Sequence, residues 1–232
     1  MSAPDPSPII VALDTTDVDR ARAWAAATAP HVGLFKVGLE YFLANGAAGY
    51  RAIQGRPIFL DVKLHDIPNT VAGGIRAILP LAPRMVTIHA SGGSAMIRAA
   101  REAAETAGAN RPMILAVTVL TSLDDASLAA MGMNDGAAAQ VSRLGRLAVE
   151  AGADGLVCSP LEVATLRREL GPSVTLVVPG IRPAGASAGD QARTMTPKEA
   201  MQAGASWLVI GRPITAAADP GGAAAAIAAS LQ

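Results

Sequence analysis

Eight short runs of aliphatic and β-branched residues, separated by segments of helical character, organise this 232-residue sequence. The runs are continuously apolar and do not alternate with polar residues, as expected for parallel strands that are buried on both faces. The segments between them are rich in Ala, Arg and Glu, and often have a Ser, Thr or Asp near their start that can cap a helix. The predicted strands are Ile9–Leu13, Leu34–Val37, Ile58–Lys63, Met85–His89, Ile114–Val119, Gly155–Cys158, Thr175–Val178 and Trp207–Ile210, and the predicted helical segments include Asp17–Thr28, Ser94–Thr106, Ala137–Ala151 and Leu161–Leu170.

This order of elements predicts an α/β protein, a (β/α)8 TIM barrel that forms a single catalytic domain over residues 1–232. An open doubly wound sheet is the main alternative, and it usually carries a glycine-rich fingerprint after its first strand. Here the first run ends in Leu13-Asp14-Thr15-Thr16, which contains no glycine. Asn110-Arg-Pro112 and Gly171-Pro172 are typical of ordinary loops and not of linkers between domains.

Composition and charge limit the kinds of partner that this chain can have. Hydrophobic residues make up 51% of the sequence and charged residues 16%, which is sufficient for a large core. Basic and acidic residues balance at 19 each, so there is no general attraction to nucleic acid or to anionic membranes. Cys158 is the single cysteine, the N-terminus lacks the pattern of a secretory signal, and no apolar stretch is long enough to span a bilayer. We therefore expect a soluble cytoplasmic protein with no nucleic-acid or membrane partner.

Polar residues interrupt or follow the predicted strands at their carboxyl ends. In a parallel barrel these ends share one rim, where barrel enzymes build their active sites. The residues placed there are Asp14, Lys36, Asp61, Lys63, His89, Ser91, Thr121, Ser122, Ser159, Arg182, Gly211 and Arg212.

The third predicted strand carries the densest charge. Side chains two residues apart in a strand point the same way, so Asp61 and Lys63 should share a face that Lys36 on the neighbouring strand can reach. Asp66 follows where the chain turns toward Pro68, which predicts alternating charges at the open end of the barrel, its mouth. Such an array is either an ion-pair network that only satisfies buried charges or a catalytic site. Burying several charges is costly unless they are used, which favours a catalytic site.

A second signature on the same rim indicates that an anion binds there. Barrel enzymes often hold phosphate between the loops after strands 7 and 8. Gly211 allows a backbone N–H to approach an anion closely, and Arg212 can supply a charged fork. The Gly- and Ala-rich loop over residues 180–193 could close over a ligand, with Gln191 as a neutral donor. A flexible surface loop is the alternative interpretation, and the position on the rim favours phosphate binding.

The segment Leu60-Asp-Val-Lys-Leu-His-Asp-Ile-Pro-Asn-Thr-Val71 resembles the signature of orotidine 5′-monophosphate decarboxylases in their common bacterial form. This long motif is highly specific, and flanking pieces agree in order and spacing over nearly the whole chain: Val11–Asp14, Phe35–Gly38, Val86–Ala90, Leu120–Ser122, Val178–Arg182 and Ile210–Arg212. The resemblance implies loss of CO2 from orotidine monophosphate to give uridine monophosphate, the last step of pyrimidine nucleotide synthesis. It also implies that neither a metal nor an organic cofactor takes part.

The resemblance further implies roles for individual residues. Lys63 would protonate the carbon that loses CO2, and Asp61 would lie against the departing carboxylate. Lys36 and Asp66 would hold the charged array in place. Asp66 and Thr70 would come from the partner subunit of a homodimer.

The remaining residues implied by the resemblance bind different parts of the substrate. The ribose hydroxyls would be bound by Asp14, Lys36 and Thr70, and the edge of the pyrimidine ring by Thr121 and Ser122. The phosphate region would be bound by Arg182, Gln191, Gly211 and Arg212. The substrate site would also include Ile67 and Pro179.

Two other functions stay open. Mg²⁺-dependent 3-keto-gulonate-phosphate decarboxylases and hexulose-phosphate synthases also resemble Asp-x-Lys-x-x-Asp barrels, but they have an acidic residue where this chain has Lys36. A lysine there would repel the ion, and the continuation Ile67-Pro-Asn-Thr70 is of the nucleotide type. The other function is that of a non-catalytic phosphate-binding barrel, which nothing in the sequence favours because the lysine, both aspartates and the phosphate elements are present.

Overall fold

The computed structural model of the protein describes residues 7–183 and 194–231. Eight parallel strands follow one another around a closed barrel, and the first pairs with the last. The strands are β1 (Ile9–Ala12), β2 (Leu34–Gly38), β3 (Ile58–Leu64), β4 (Met85–His89), β5 (Met113–Val117), β6 (Gly155–Val157), β7 (Thr175–Val178) and β8 (Trp207–Ile210). The closed barrel confirms the predicted (β/α)8 fold, and the open doubly wound alternative is wrong.

Helices follow the strands and surround the barrel. They are α1 (Val18–Thr28), α2 (Leu39–Ala52), α3 (Pro68–Ile78), α4 (Gly93–Glu105), α5 (Asp125–Ala130), α6 (Gly136–Glu150), α7 (Val163–Leu170), α8 (Pro197–Gln202), α9 (Arg212–Thr215) and α10 (Pro220–Ala229). Side-chain caps mark several starts, as at Asp17, whose carboxylate accepts a hydrogen bond from the Arg20 N–H at 3.0 Å. Within the described ranges, no helix is both long and apolar enough to cross a membrane.

The core has two shells, which explains why the strands are continuously apolar. Side chains that point out of the barrel, such as Val11, Phe35 and Leu60, belong to the larger cluster that includes buried residues of the helices. Side chains that point into the barrel form a second cluster: Ile10, Ala12, Leu34, Phe59, Met85, Leu115, Val177 and Val209. Full burial of each large apolar side chain contributes about 1.5–3 kcal/mol relative to exposure. Both faces of every strand are therefore used for packing.

The inward face of the strands becomes polar toward the mouth. Asp61 lies two residues after the inward-pointing Phe59, and Thr87 lies two residues after the inward-pointing Met85. In β2, Lys36 likewise lies two residues after Leu34. Because residues two apart share a face, these polar groups lie above the apolar interior. The regular alternation of the strands thus places charged side chains at the mouth.

The opposite end of the barrel is held by a separate ion-pair cluster. Asp154, just before β6, accepts hydrogen bonds from Arg101 at 2.7 Å and Arg111 at 2.8 Å, and from the Ile114 N–H at 2.8 Å. Burial alone would raise the pKa of Asp154, but these donors and charges hold it below its ordinary value. This cluster joins the amino ends of β5 and β6, the face at which barrel residues serve stability.

Candidate active site

A cavity of about 510 Å³ opens at the carboxyl ends of the strands. Apolar wall residues such as Phe59, Val117 and Val157 continue the barrel interior into it. The predicted site residues that line the cavity are Asp14, Lys36, Asp61, Lys63, Thr121, Pro179, Arg182, Gly211 and Arg212. Residues from distant parts of the sequence thus converge on one concave site, as the shared rim predicts.

Four alternating charges form a continuous chain in the cavity. The Lys36 Nζ lies 2.8 Å from Asp14 Oδ1 and 3.7 Å from Asp61 Oδ2. The Lys63 Nζ lies 2.9 Å from both carboxylate oxygens of Asp61. Each ammonium is therefore balanced by a carboxylate, and Asp61 is shared between two cations. The predicted alternation of charges is present from Lys36 through Asp61 to Lys63, and Asp14 extends it beyond Lys36. Asp66, predicted to continue it beyond Lys63, is exposed and lies outside the cavity of its own chain.

The protonation of Asp61 follows from this surrounding charge. Burial alone would raise the pKa of the Asp61 carboxyl, because a low-polarity environment disfavours the charged form. The ammonium groups of Lys36 and Lys63, and the hydrogen bonds from Lys63 and Thr87, bring that pKa below its ordinary value. Asp61 is consequently a carboxylate at neutral pH, in a pocket where its negative charge is little screened by water.

Thr87 on β4 is a contributor that sequence reasoning missed. Its hydroxyl donates to Asp61 Oδ1 at 2.9 Å, and its oxygen accepts from the Lys63 backbone N–H at 2.9 Å. Lys63 has a φ of 49°, in the left-handed region that residues other than glycine seldom adopt. The one available signal was a hydroxyl residue inside an otherwise apolar strand, two positions before His89.

Gly38, at the end of β2, is a second residue that sequence reasoning missed. A Cβ at this position would lie 2.9 Å from both the Lys36 Nζ and Asp14 Oδ1. Its backbone is extended, with φ −85° and ψ 177°, so the conformation does not require glycine. The space that the absent side chain leaves is filled by the ion pair of Lys36 and Asp14.

Two guanidinium groups form the other wall of the cavity. Arg182 follows β7 and Arg212 follows β8, and both line the cavity together with Gly180 and Gly211. Burial first and the charge of Arg212 second lower the pKa of Arg182. Gly180 has a φ of 77°, a backbone conformation that favours glycine. These two guanidinium groups, beside Gly180 and Gly211, form what we call the cationic wall of the cavity.

Four predicted site residues lie outside the cavity of their own chain. Asp66, Ile67, Thr70 and Ser122 are exposed, and none is among the described residues that line the cavity. The Asp66 carboxylate accepts a hydrogen bond from the Ile67 N–H at 2.7 Å, at the turn between β3 and α3. The side chain of Ile67 is 67% exposed, an unusual fraction for a large apolar residue. Gln191, predicted to contact phosphate, lies outside the described residues.

His65, His89 and Cys158 lie around the site. The rings of His65 and His89 face each other with centroids 5.3 Å apart. Burial first, then the charges of His65 and Lys63, lower the pKa of His89. Cys158 is buried in the wall of the cavity, and burial raises the pKa of its thiol, so the reactive thiolate form is disfavoured.

A (β/α)8 barrel with a lysine–carboxylate chain and a cationic wall at its mouth defines a class of enzyme that acts on small anionic molecules. Residues 7–227 match the family model described as the orotidine 5′-phosphate decarboxylase / HUMPS family. The chain therefore belongs to this family, as its long motif predicts.

Similar proteins carry the same description. The orotidine 5′-phosphate decarboxylase of Thermobifida fusca is 58% identical over 229 residues, covering 97% of this chain and 96% of the relative. That of Paramagnetospirillum magneticum is 54% identical over 231 residues, covering 97% and 98%. The crystal structure of the orotidine 5′-phosphate decarboxylase from Lactobacillus acidophilus matches with a TM-score of 0.87 and 40% identity, covering 97% of this chain and 99% of that one.

Replacing Gly38 with alanine should damage the charge chain while leaving the fold intact. The new Cβ meets only the side-chain ends of Lys36 and Asp14 and no backbone atom, so these side chains must move while the barrel backbone can stay in place. Because misplacement by about 1 Å can cost roughly 100-fold in rate, we expect kcat/KM to fall by about 10- to 100-fold. Steady-state turnover of orotidine 5′-phosphate and a thermal melt measure the two effects. Wild-type kinetics in Gly38→Ala would show that the close packing at Gly38 is not needed.

Proposed function

We propose that this protein decarboxylates orotidine 5′-monophosphate to uridine 5′-monophosphate, the last step of pyrimidine nucleotide synthesis. The reaction is that of a carbon–carbon lyase, and it agrees with the names of the curated relatives. The observation that carries the proposal is the Lys63 ammonium held 2.9 Å from the Asp61 carboxylate inside the cavity. The single cysteine of the chain supports a cytoplasmic location.

The chemistry needs a fixed cation at the carbon that loses CO2. Cleavage of the bond between C6 and the carboxylate releases CO2 and leaves the electron pair on C6. No electron sink in the ring delocalises that pair, so the uncatalysed barrier is very high. The Lys63 ammonium would stabilise the developing carbanion electrostatically and then donate a proton to C6. Lys63 would regain its proton from solvent after uridine monophosphate leaves.

Asp61 would act on the departing carboxylate. Its charge lies in a buried pocket beside the ammonium of Lys63, so a second carboxylate bound there would be repelled until CO2 is lost. Lys36 and Asp14, at the far side of the chain of charges, would bind the ribose hydroxyls. Thr121, from the loop after β5, lines the cavity and would contact the edge of the pyrimidine ring, whereas Ser122, predicted to share this role, is exposed and does not line the cavity.

The cationic wall would bind the phosphate. Arg182 and Arg212 would supply charged donors, Gly211 would permit close approach of the backbone, and Pro179 lines the cavity beside them. Gln191 would add a neutral donor from the same loop. Binding energy from this remote group can then stabilise the transition state at C6, since the phosphate does not itself react.

A metal-dependent sugar-phosphate decarboxylase is the rival within the family. The Lys36 ammonium lies between the carboxylates of Asp14 and Asp61, where it already balances their charge. A divalent cation at this position would meet an ammonium group, which disfavours its binding. Across residues 7–183 and 194–231, no three His, Cys, Asp or Glu side chains are grouped so as to hold a metal ion. The position of the Lys36 ammonium between the two carboxylates favours the nucleotide decarboxylase.

Substituting Lys63 with alanine tests the central role. We expect kcat for orotidine monophosphate to fall by at least about 1,000-fold, because both electrostatic stabilisation and the proton donor are removed. Loss of substrate absorbance gives the rate, and circular dichroism reports the fold. Lys198→Ala, at an exposed position in α8, is the matched control and should keep wild-type activity. Substantial turnover by folded Lys63→Ala would remove Lys63 from the reaction.

Arg212→Ala tests the phosphate wall. We expect kcat/KM for orotidine monophosphate to fall by roughly 10- to 1,000-fold, because a charged hydrogen bond to phosphate contributes about 1.5–3 kcal/mol or more in a partly enclosed site. The same substitution should leave the slow decarboxylation of orotidine, which lacks the phosphate, nearly unchanged. Arg168→Ala, at an exposed position of α7, is the control. Equal impairment with both substrates would contradict phosphate binding by Arg212.

We also propose that the active site is completed by a homodimer. Asp66, Ile67 and Thr70 belong to the specific motif, yet they are exposed and do not line the cavity of their own chain. Leu39 and Leu43, at 49% and 74% exposure on α2, add apolar surface beyond that of Ile67. A two-fold interface over this region would bury these side chains and bring Asp66 and Thr70 to the partner's cavity.

Complementation between two inactive variants tests the shared site. In a mixture of Lys63→Ala and Asp66→Asn chains, each heterodimer would have one site with both defects and one site with neither. Random reassortment should therefore restore about one quarter of wild-type activity, since half of the dimers are heterodimers. Each variant mixed with itself is the control. If Asp66 acts within its own chain, every site in the mixture is defective and no activity returns.

A further inference from the structure

Thr87 lies beneath the charged chain without reaching the cavity. Its side chain is completely buried, and it is not among the described residues that line the cavity. Its hydroxyl nevertheless contacts both residues that carry the proposed chemistry. It donates to Asp61 Oδ1 at 2.9 Å and accepts from the Lys63 N–H at 2.9 Å.

The contact fills an interruption in the sheet. Leu60 pairs with Val86 and Leu64 pairs with Ile88, so the register between β3 and β4 shifts across the intervening residues. The stretch of β3 that contains Asp61 and Lys63 therefore lies opposite Thr87, where the regular ladder is broken. In a regular ladder the Lys63 N–H would donate a hydrogen bond to a backbone carbonyl. Here it donates to the Thr87 hydroxyl oxygen instead.

We propose that Thr87 is a positioning residue that sets the backbone of Lys63 and the carboxylate of Asp61 at the same time. This inference rests on the decarboxylase function proposed above. A hydroxyl is suited to the task because it donates one hydrogen bond while accepting another. Thr87 thereby links the left-handed backbone of Lys63 to the orientation of the Asp61 carboxylate, which the Lys63 ammonium contacts.

The coupling has a direct chemical consequence. Without the hydroxyl, Asp61 Oδ1 keeps its contact with Lys63 Nζ but loses the donor that holds the carboxylate plane. The Lys63 N–H also loses its acceptor, so the left-handed conformation has one interaction fewer to maintain it. Both changes move the ammonium relative to the substrate carbon, whereas the cavity wall that binds the substrate stays in place.

The test compares Thr87→Val, which has nearly the same shape but no hydroxyl, with Thr87→Ser, which retains it. For Thr87→Val we expect kcat for orotidine monophosphate to fall by roughly 10- to 100-fold, with KM changed by less than about threefold. Thr87→Ser should stay within about threefold of wild type. The acid limb of the kcat profile in Thr87→Val should move to higher pH, because loss of a donor to a carboxylate raises its pKa.

Thr28→Val is the matched control. Thr28 is also fully buried, and its hydroxyl donates to the Trp24 carbonyl at 2.8 Å in α1, away from the site. Its loss should lower the melting temperature without changing kcat. If Thr87→Val is insoluble, Thr87→Ala removes the same hydroxyl and is compared with Thr87→Ser in the same way.

The results distinguish this inference from the function on which it rests. Unchanged kcat in Thr87→Val, or equal impairment of Thr87→Val and Thr87→Ser, would overturn the positioning role while leaving the decarboxylase function intact. Absence of turnover by the wild-type enzyme would instead contradict the proposed function. A crystal structure of Thr87→Val gives a readout that does not depend on activity, and it should show Lys63 Nζ displaced from Asp61. An unmoved Lys63 in that structure would also overturn the proposal.

Discussion

The carboxylate of Asp61 binds two ammonium groups and a hydroxyl, and the geometry of the barrel mouth depends on it. Lys36 and Lys63 carry like charges and would repel each other without it. Desolvating these groups is expensive, and the removal of one member of a buried pair costs about 3–5 kcal/mol because a bare charge remains. The charges therefore maintain one another's positions. Because of its desolvation cost, such an arrangement contributes little to the stability of the barrel. It does fix the position of the Lys63 ammonium, which the proposed reaction requires.

Burial on both faces explains why the strands could be predicted so closely. Met85–His89, Thr175–Val178 and Trp207–Ile210 have the predicted bounds, because a parallel strand inside a barrel must be apolar throughout. The end of β3 differs from the prediction, since the strand continues to Leu64 through a left-handed Lys63. Asp61 and Lys63 do meet, but regular alternation alone does not bring them together. A side chain of the neighbouring strand supports that irregularity, and local patterns do not reveal such tertiary contacts.

The position of a residue in the candidate site was predictable where it follows from the end of a strand at the rim. Lys36, Asp61 and Arg212 are polar residues at the ends of apolar strands, which is a strong signal. Thr87 and Gly38 were missed because a threonine within a strand is ordinary, and a glycine contributes only space that three-dimensional packing defines. The assignment of Asp66 to a partner's site came from family resemblance, and the exposure of Asp66 in one chain is consistent with it.

The left-handed backbone of Lys63 has a consequence for the balance between stability and function. The left-handed conformation costs a residue with a Cβ roughly 1–2 kcal/mol of conformational free energy, whereas glycine adopts it freely. Glycine at this position would relax the end of β3 but would remove the amine. Lysine at position 63 is therefore unfavourable for the backbone conformation but necessary for the proposed chemistry. Selection for thermal stability alone would therefore tend to replace Lys63. In the core residues, by contrast, packing and conformational preference favour the same side chain.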